Sequence, residues 1–560
     1  MLAALAAPLA VHGQSAPTPG PFVEEQRQQE RERALRRQQE RSVDARPTTG
    51  AKSVPERLAS SETPCFAISA VSLEGELSKN FSWSLAAVSG DFTDDSPIGR
   101  CLGTRGVDTV VARIQKAVVD RGYITTRVLA GPQDLSEGTL VLTVVPGRIA
   151  GMRLADDRPT TAGLRAAIPT AEGHLLDLRD IEQGLENLKR LPTVDADIRV
   201  EPSRAPAARP GDSDLVVNHQ RKFPLRASVA LDDGGTRATG RTQAGATVAW
   251  DGPLALNDLA YVSVNHDAFN HGGQGTGGRT VHYDVPFGYW LLGMTASQSR
   301  YHQSVAGLSE SYVYAGETRN AELRLSRLIY RDQRRKMTVA LRAFRRASGN
   351  AVDDTEIKVQ RRVVAGVEAS LNHREFVGDA TLDATLAYRR GTGAFGALPA
   401  PEALFGEGTS RLKLYTSEVN LNAPFKFSDQ ALRYTALWRA QWNRTALTPQ
   451  DRFAIGGRYT VRGFDGETSL LGDRGWLLRN DLGIAFGQSG AELYAGIDYG
   501  EVGGRSAQLL LGRHLAGGAV GVRGAFKGLN YDFSVGAPIS RPQGYRTAKV
   551  TVGINLNYSF

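Results

Sequence analysis

Near the C-terminal end of the chain, Gly457-Arg458-Tyr459-Thr460-Val461-Arg462-Gly463-Phe464-Asp465-Gly466 sets an Arg among small residues and beside an aromatic. Glycine permits tight turns and close backbone approach. The pattern therefore predicts a specifically folded loop tip that presents Val461, Arg462, Gly463 and Phe464. Further on, Gly496-Ile497-Asp498-Tyr499-Gly500 lies in a stretch that reads as a strand. Side chains alternate across a strand, so Asp498 shares a face with Gly496 and Gly500. A carboxylate flanked by small residues leaves room for another side chain to dock, and an Arg could do so as a bidentate pair. The plain alternatives are a turn that carries a charge and a solvated carboxylate.

The other reactive types are sparse. Cys65 and Cys101 are the only cysteines. Leu2 to Val11 is apolar but too short to span a bilayer, and Val11-His12-Gly13 then offers small or apolar residues. Residues 1–13 read as a secretory signal peptide that lacks its basic n-region; either the start codon is set too far downstream, the favoured reading, or the segment is not a signal. Export would put the two thiols in an oxidising compartment. Paired, they would close a loop worth about 3.8 kcal/mol by chain entropy. The alternative is two buried free thiols. Gly273-Gln274-Gly275-Thr276-Gly277-Gly278 fits G-x-G-x-x-G, but it precedes a strand pattern, so no dinucleotide site is expected. His266 and His271 fall in a surface-loop pattern and make no persuasive metal pair. No catalytic residue, metal or cofactor is assigned.

The elements that must position these residues follow from composition and periodicity. The chain has 560 residues, 41% hydrophobic and 22% charged, with mean hydropathy -0.28. No apolar run is long enough for a transmembrane helix. A transmembrane β-barrel is not excluded, since only alternate strand residues need be apolar. The charge of +8 is scattered and forms no basic stripe, so nucleic acid is not an expected partner. Residues 22–43 are rich in Glu, Gln and Arg, which favour helix, yet carry no apolar stripe. Such a helix is solvated or sits in a wet polar cavity. Residues 44–63 read as a linker. Strand, helix, strand, strand then occurs twice, over 64–147 and 148–222, as an internal duplication. Its helices are expected near Val107–Arg121 and Leu178–Leu191, the second capped by Asp177.

From residue 223 to 560 helical periodicity gives way to alternation. In the last residues Val550, Val552, Ile554, Leu556, Tyr558 and Phe560 share one face. Leu432 to Trp442 repeats the pattern, with Arg433, Thr435, Arg439 and Gln441 opposite the apolar face. An apolar face suits lipid and an Arg/Gln face suits a wet lumen. The length accommodates roughly 16 strands.

In this order, the features resemble the outer-membrane transporters of two-partner secretion, the family of haemolysin-activating, filamentous-haemagglutinin and contact-dependent-inhibition transporters. The resemblance covers essentially the whole chain. It is nearest the haemolysin-activating and contact-inhibition branch through Pro64-Cys65-Phe66, Cys101-Leu102-Gly103, Arg121-Gly122-Tyr123-Ile124-Thr125-Thr126-Arg127 and Gln133-Asp134-Leu135. It implies a mainly β fold: a 16-stranded transmembrane β-barrel preceded by two α+β POTRA domains in the periplasm and an N-terminal plug helix. Val461-Arg462-Gly463-Phe464 is similar to the family's VRGY tip of a long sixth loop, here around 446–475, with Phe464 in place of Tyr. Gly496, Asp498 and Gly500 are similar to the wall motif that receives the tip's Arg. Tyr558 and Phe560 resemble the terminal signal handled by the outer-membrane assembly machinery. The implied function is a protein-translocating pore, acting as a monomer in outer-membrane lipid. It would bind a large exoprotein through that partner's N-terminal secretion domain and secrete it without ATP. The alternative is a barrel-assembly factor of the same superfamily; a barrel enzyme is more remote.

Overall fold

A computed structural model describes residues 21–40, 43–46, 57–92, 94–156, 158, 160–269, 272–486 and 490–560. The expected signal peptide and His271 lie outside them. Among the described residues, no helix is long and apolar enough to cross a membrane. The chain crosses with strands.

Sixteen antiparallel strands run from Leu225–Asp232 to Thr551–Ser559 and close on themselves; the two-residue strand Thr355–Glu356 merely extends one hairpin. Closure leaves no strand edge facing hydrocarbon. Alternation sorts the two faces. Val248, Val262 and Val281 stand side by side on adjacent strands, each about half exposed on the outer face. The inner face carries a cross-strand ionic ladder. Arg342 bonds Glu322 at 2.9 Å and Glu368 at 2.8 Å, Arg389 bonds Glu368 at 2.8 Å, and Arg439 bonds Glu418 at 2.9 Å. The seam is short. First and last strands pair only from Ser228 with Ser559 to Asp232 with Asn555, and the Phe560 N–H donates to the Ala227 carbonyl at 2.9 Å. The Tyr558 and Phe560 rings stand exposed beside it, 4.7 Å apart edge-on.

Two small α+β modules precede the barrel. In the first, strands Ala70–Glu74 and Arg127–Leu129 flank Thr139–Val145. The helix is Thr104–Asp120, and its Val110, Ile114 and Val118 pack on Leu140, Leu142, Val144 and Phe81. Cys65 and Cys101 form a disulfide with a Cα–Cα separation of 5.3 Å. Asp177 caps the second module's helix, Leu178–Lys189, by accepting from the Arg179 N–H at 2.8 Å. That module's core continues into the barrel: Ile168, Leu188 and Leu191 join Ala249, Leu259 and Tyr261 of the wall.

The elements depart from the sequence reading in three places. The N-terminal helix is Pro21–Gln39 and ends before residue 43; contacts with Lys336 and Glu186 hold Asp44 and Ala45 outside any helix. The expected linker is partly module core: Leu58 is buried, and a Glu62 oxygen accepts from the Gly106 N–H at 2.9 Å at the start of helix Thr104–Asp120. The 3-10 segment Ser78–Ala87 and the short helix Ala162–Ala167 had no periodic signal long enough to read.

Asp95 is the ionic centre of the first module. It accepts from the Leu58 N–H at 2.9 Å and from Arg100 at 2.8 Å, and it pairs with Arg113. Burial pushes its carboxyl up, but the Leu58 N–H and the two guanidiniums outweigh burial and hold it below the usual range. Its stabilisation is therefore complete above the unfolded carboxyl's value of about 4 and is lost as pH falls through the lower folded value. Asp95→Ala leaves two Arg without their shared acceptor and should cost roughly 3–5 kcal/mol locally. Hydrogen exchange on the intact chain in detergent should show faster exchange over Thr104–Asp120, with the barrel strands unchanged.

Candidate functional site: the loop tip and the filled lumen

The loop joining the strands Gln430–Asn443 and Arg474–Phe486 spans 444–473 and folds back into the barrel. A small hairpin, Phe453–Ile455 with Leu470–Gly472, stiffens its base. At the tip, Gly463 has φ +89°, and a Cβ there would lie 2.4 Å from the Ala537 carbonyl oxygen. Side chains are excluded on the receiving wall too. A Cβ on Gly500 would meet Val461 at 2.9 Å, and one on Gly517 would meet the Arg462 carbonyl oxygen at 1.9 Å. The wall is thus a shallow groove of missing side chains, shaped to the tip's backbone.

Arg462 enters that groove and meets Asp498 on the strand Ala491–Gly503. Nε donates to one carboxylate oxygen and Nη2 to the other, both at 2.7 Å, and the Arg462 N–H adds a third bond at 2.9 Å. Asp498 is 1% exposed and Arg462 8%. This is a bidentate, charge-assisted pair in a site nearly free of solvent. Asp481 supports it, 2.6 Å from Arg462 Nη2 and 3.2 Å from Arg523; Arg523 in turn bonds Glu492 at 2.9 Å. Arg479 stands 3.8 Å from Asp498 and donates to the Arg458 carbonyl at 3.3 Å. Phe464 is buried with Val461, Ile455 and Leu515, its ring 5.7 Å from that of Tyr545 and edge-on. Packing holds it, with no call on a hydroxyl. Asp465 ties the tip to the last extracellular loop, accepting from the Ala548 N–H at 2.8 Å and Thr547 at 3.1 Å.

The structure thus brings Val461, Arg462, Gly463 and Phe464 against Gly496, Asp498 and Gly500. It places Tyr558, Phe560, Cys65 and Cys101 elsewhere. Asp481, Arg523, Gly517, Gly536 and Tyr545 escaped the sequence reading. Asp481 and Arg479 sit two apart on a lumen face, which is a faint signal. Gly517 lies opposite Asp498 and is visible only once the strand register is known.

Beside the tip, helix Pro21–Gln39 runs through the lumen and is held almost wholly by polar contacts. Glu30 meets Arg439 at 3.1 Å, Arg37 meets Glu418 at 3.0 Å, and Arg36 pairs with Glu322. Gln28 bonds Thr276 at 3.1 Å, and Thr239 bonds Glu24 at 3.0 Å. Arg27 donates to the Gly466 carbonyl, so helix and tip touch. A cavity of about 680 Å³ remains between helix, tip and wall.

At the periplasmic end the chain leaving the helix is clamped. Asp44 bonds Lys336 at 2.7 Å and Arg374 at 3.2 Å, while the Ala45 N–H donates to Glu186 at 2.8 Å. Arg331 reaches the Ala45 carbonyl at 2.8 Å, Glu182 at 2.7 Å and Glu186 at 2.9 Å. Glu182 and Glu186 belong to the second module's helix, whereas Arg331 and Lys336 flank a barrel turn. One ionic knot therefore joins the linker, the module and the wall.

The profile described as "Haemolysin secretion/activation protein ShlB/FhaC/HecB" matches residues 211–524, "POTRA domain, ShlB-type" matches 66–147, and "POTRA domain" matches 148–202. Outer membrane transporter CdiB-2 of Burkholderia pseudomallei (strain 1026b) is 35% identical over 574 residues, covering 99% of this chain and 97% of that one. Outer membrane transporter CdiB of Dickeya dadantii (strain 3937) is 28% identical, over 83% of this chain and 82% of its own. The solved structure of CdiB from Acinetobacter baumannii superposes with TM-score 0.84 at 27% identity, covering 97% of this chain and 98% of that one. CdiB from Escherichia coli gives 0.84 at 25%, covering 98% and 100%. With its barrel in the outer membrane and its POTRA domains in the periplasm, the chain belongs to the ShlB/FhaC/HecB family of haemolysin secretion/activation proteins, as a two-partner secretion transporter of the CdiB branch.

Proposed function

We propose that this transporter secretes one large partner exoprotein, that it works as a monomer without ATP, and that it carries out no enzymatic step. The two POTRA domains capture the partner's N-terminal secretion domain by adding a strand to an open sheet edge. Ala70–Glu74 and Arg127–Leu129 are such edges in the first domain, and Arg148–Leu154 and Val194–Pro202 in the second. The partner crosses extended and folds outside, and that folding supplies direction. Helix Pro21–Gln39 leaves the lumen first, and the Arg462 tip shifts from its groove.

The observation that carries this reading is the chemistry of the filling. Helix and wall meet through ion pairs and hydrogen bonds that water or a polar chain can replace. Exposing them costs far less than exposing an apolar core would, because apolar surface has no such substitute in water. The barrel-assembly alternative lacks a comparable support: among the described residues only two modules precede the barrel, and a helix fills its lumen.

Arg462→Ala removes the bidentate partner of Asp498 in a buried site, a loss of roughly 3–5 kcal/mol at the tip, while Asp481 keeps Arg523. Exoprotein in the medium should fall while the outer-membrane level of the barrel holds; normal secretion would remove the tip from the mechanism. Arg462→Lys should rescue only partly, because an ammonium cannot make the two-pronged bond. At the periplasmic knot, Glu186→Ala removes the acceptor shared by Lys336, Arg331 and the Ala45 N–H. In planar bilayers this variant should open more often than the parent chain, and Lys189→Ala, on the same helix but outside the knot, should not.

A further inference from the structure

One cluster in the lumen serves neither the tip nor the knot. Glu40 follows the end of the N-terminal helix, and His282 and Asp284 occupy adjacent inward positions on the strand Gly275–Phe287. One ligand atom from each lies within 4.8 Å of the other two. His282 Nε2 is 3.2 Å from Asp284 Oδ2 and 3.5 Å from Glu40 Oε1. A tetrahedral zinc with bonds of about 2.0–2.2 Å has ligand-to-ligand edges of roughly 3.3–3.6 Å. The two histidine edges fall close to that spacing. His282 is 5% exposed, stacked on Tyr261 at 4.7 Å, with Nδ1 2.9 Å from Thr295 Oγ1. A hydrogen bond on the far nitrogen is how a ligating imidazole is oriented and its other nitrogen left free to bind.

Hydrogen bonding alone leaves this cluster unfinished. Arg190 of the second POTRA domain holds Asp284 Oδ2 at 2.6 Å, but Oδ1 is buried with no hydrogen-bond partner among the described residues. Glu40 Oε1 likewise accepts no hydrogen bond among the described residues, although Arg36 Nε lies in ion-pair range at 3.5 Å; Arg36 is also engaged by Glu322. If Nε2 carries the imidazole proton and donates to Asp284 Oδ2, both orphans remain. Buried oxygens without donors are rare because each forfeits its solvation.

We propose that Glu40, His282 and Asp284 bind a divalent transition cation of zinc-like preference, pinning the end of the helix to the wall beside the second POTRA domain. Imidazole with two carboxylates is a ligand set such ions accept. The cation takes up Glu40 Oε1 and the Asp284 carboxylate, whose Oδ1 is otherwise without a hydrogen bond, and so bridges two elements that the proposed translocation route separates. Its effect on opening rests on the reading of the helix as a plug; cation binding itself does not.

The test uses the full chain without a histidine tag, in detergent, stripped with a chelator and titrated with zinc chloride, then with cobalt chloride for its d–d absorption. One zinc per chain and a tetrahedral cobalt spectrum are expected. His282→Gln and Glu40→Gln should abolish both, and Thr295→Val should weaken binding about tenfold or more. Glu40 lies just past the helix and outside the barrel strands, so its variant leaves those strands intact and keeps the test meaningful if His282→Gln misfolds. No stoichiometric binding, or equal binding by parent and Glu40→Gln, overturns the site and leaves the plug reading standing. In planar bilayers zinc should lower the opening frequency of the parent chain and leave Glu40→Gln unaffected. Binding without that effect overturns the pinning and counts against the plug reading as well.

Discussion

A charge inside this barrel has to find a partner there. The lumen is narrow, its wall is lined with Arg and Glu, and the helix within it is itself dense in both. Leaving one such group unpaired costs several kcal/mol. Compensation is therefore almost continuous: Arg342, Glu368, Arg389 and Glu322 along the wall, Glu30 and Arg37 from the helix, Arg462 and Asp498 at the tip. These contacts hold the resting state, yet none of them buries apolar surface that would be lost on opening. The same constraint holds the filled lumen together through contacts that water or a polar chain can replace.

The two closures differ in kind. The tip is held by shape as well as charge, because Gly463, Gly500 and Gly517 let its backbone lie against the wall and Phe464 locks it in an apolar cluster. The helix is held by charge and hydrogen bonding, with few apolar anchors such as Val23 and Leu35. A tip that shifts while the helix leaves outright is consistent with that difference. The ionic knot around Arg331 and Glu186 adds a mechanical link, since a POTRA helix, a barrel turn and the plug's own linker share its acceptors.

Much of this architecture was legible in the chain because its physics is periodic. Val550 to Phe560 alternates over a whole strand, and Leu178, Ile181, Leu185 and Leu188 mark a helix face, so strand and helix could be told apart locally. Arg462 and Asp498 stood out because glycines flank each. What stayed hidden depends on registers between distant segments. Gly517 faces Asp498 only through a strand pairing, and Asp481 joins Arg462 only because two strands and a returning loop converge. Leu58 and Glu62 lay in a stretch with linker composition, and only their contacts make them part of the first module. Glu40 lies more than two hundred residues from His282 and Asp284, with no spacing motif to connect them.

On the proposed route the lumen helix must leave for the partner to cross. The most direct test locks it in place. Gln28 and Thr276 bond across the helix–wall contact, so Gln28→Cys with Thr276→Cys sets two thiols there for a short bis-maleimide carrying a reducible disulfide, which spans more than a direct Cys–Cys bond can. Secretion of the exoprotein is then measured in cells with the reagent and after reduction, with the cross-linked fraction quantified in the same samples. Secretion that stops as the cross-link forms and returns on reduction is the predicted result. Undiminished secretion from a fully cross-linked population would mean that the partner passes with the helix in place, which contradicts the proposed exit of the helix.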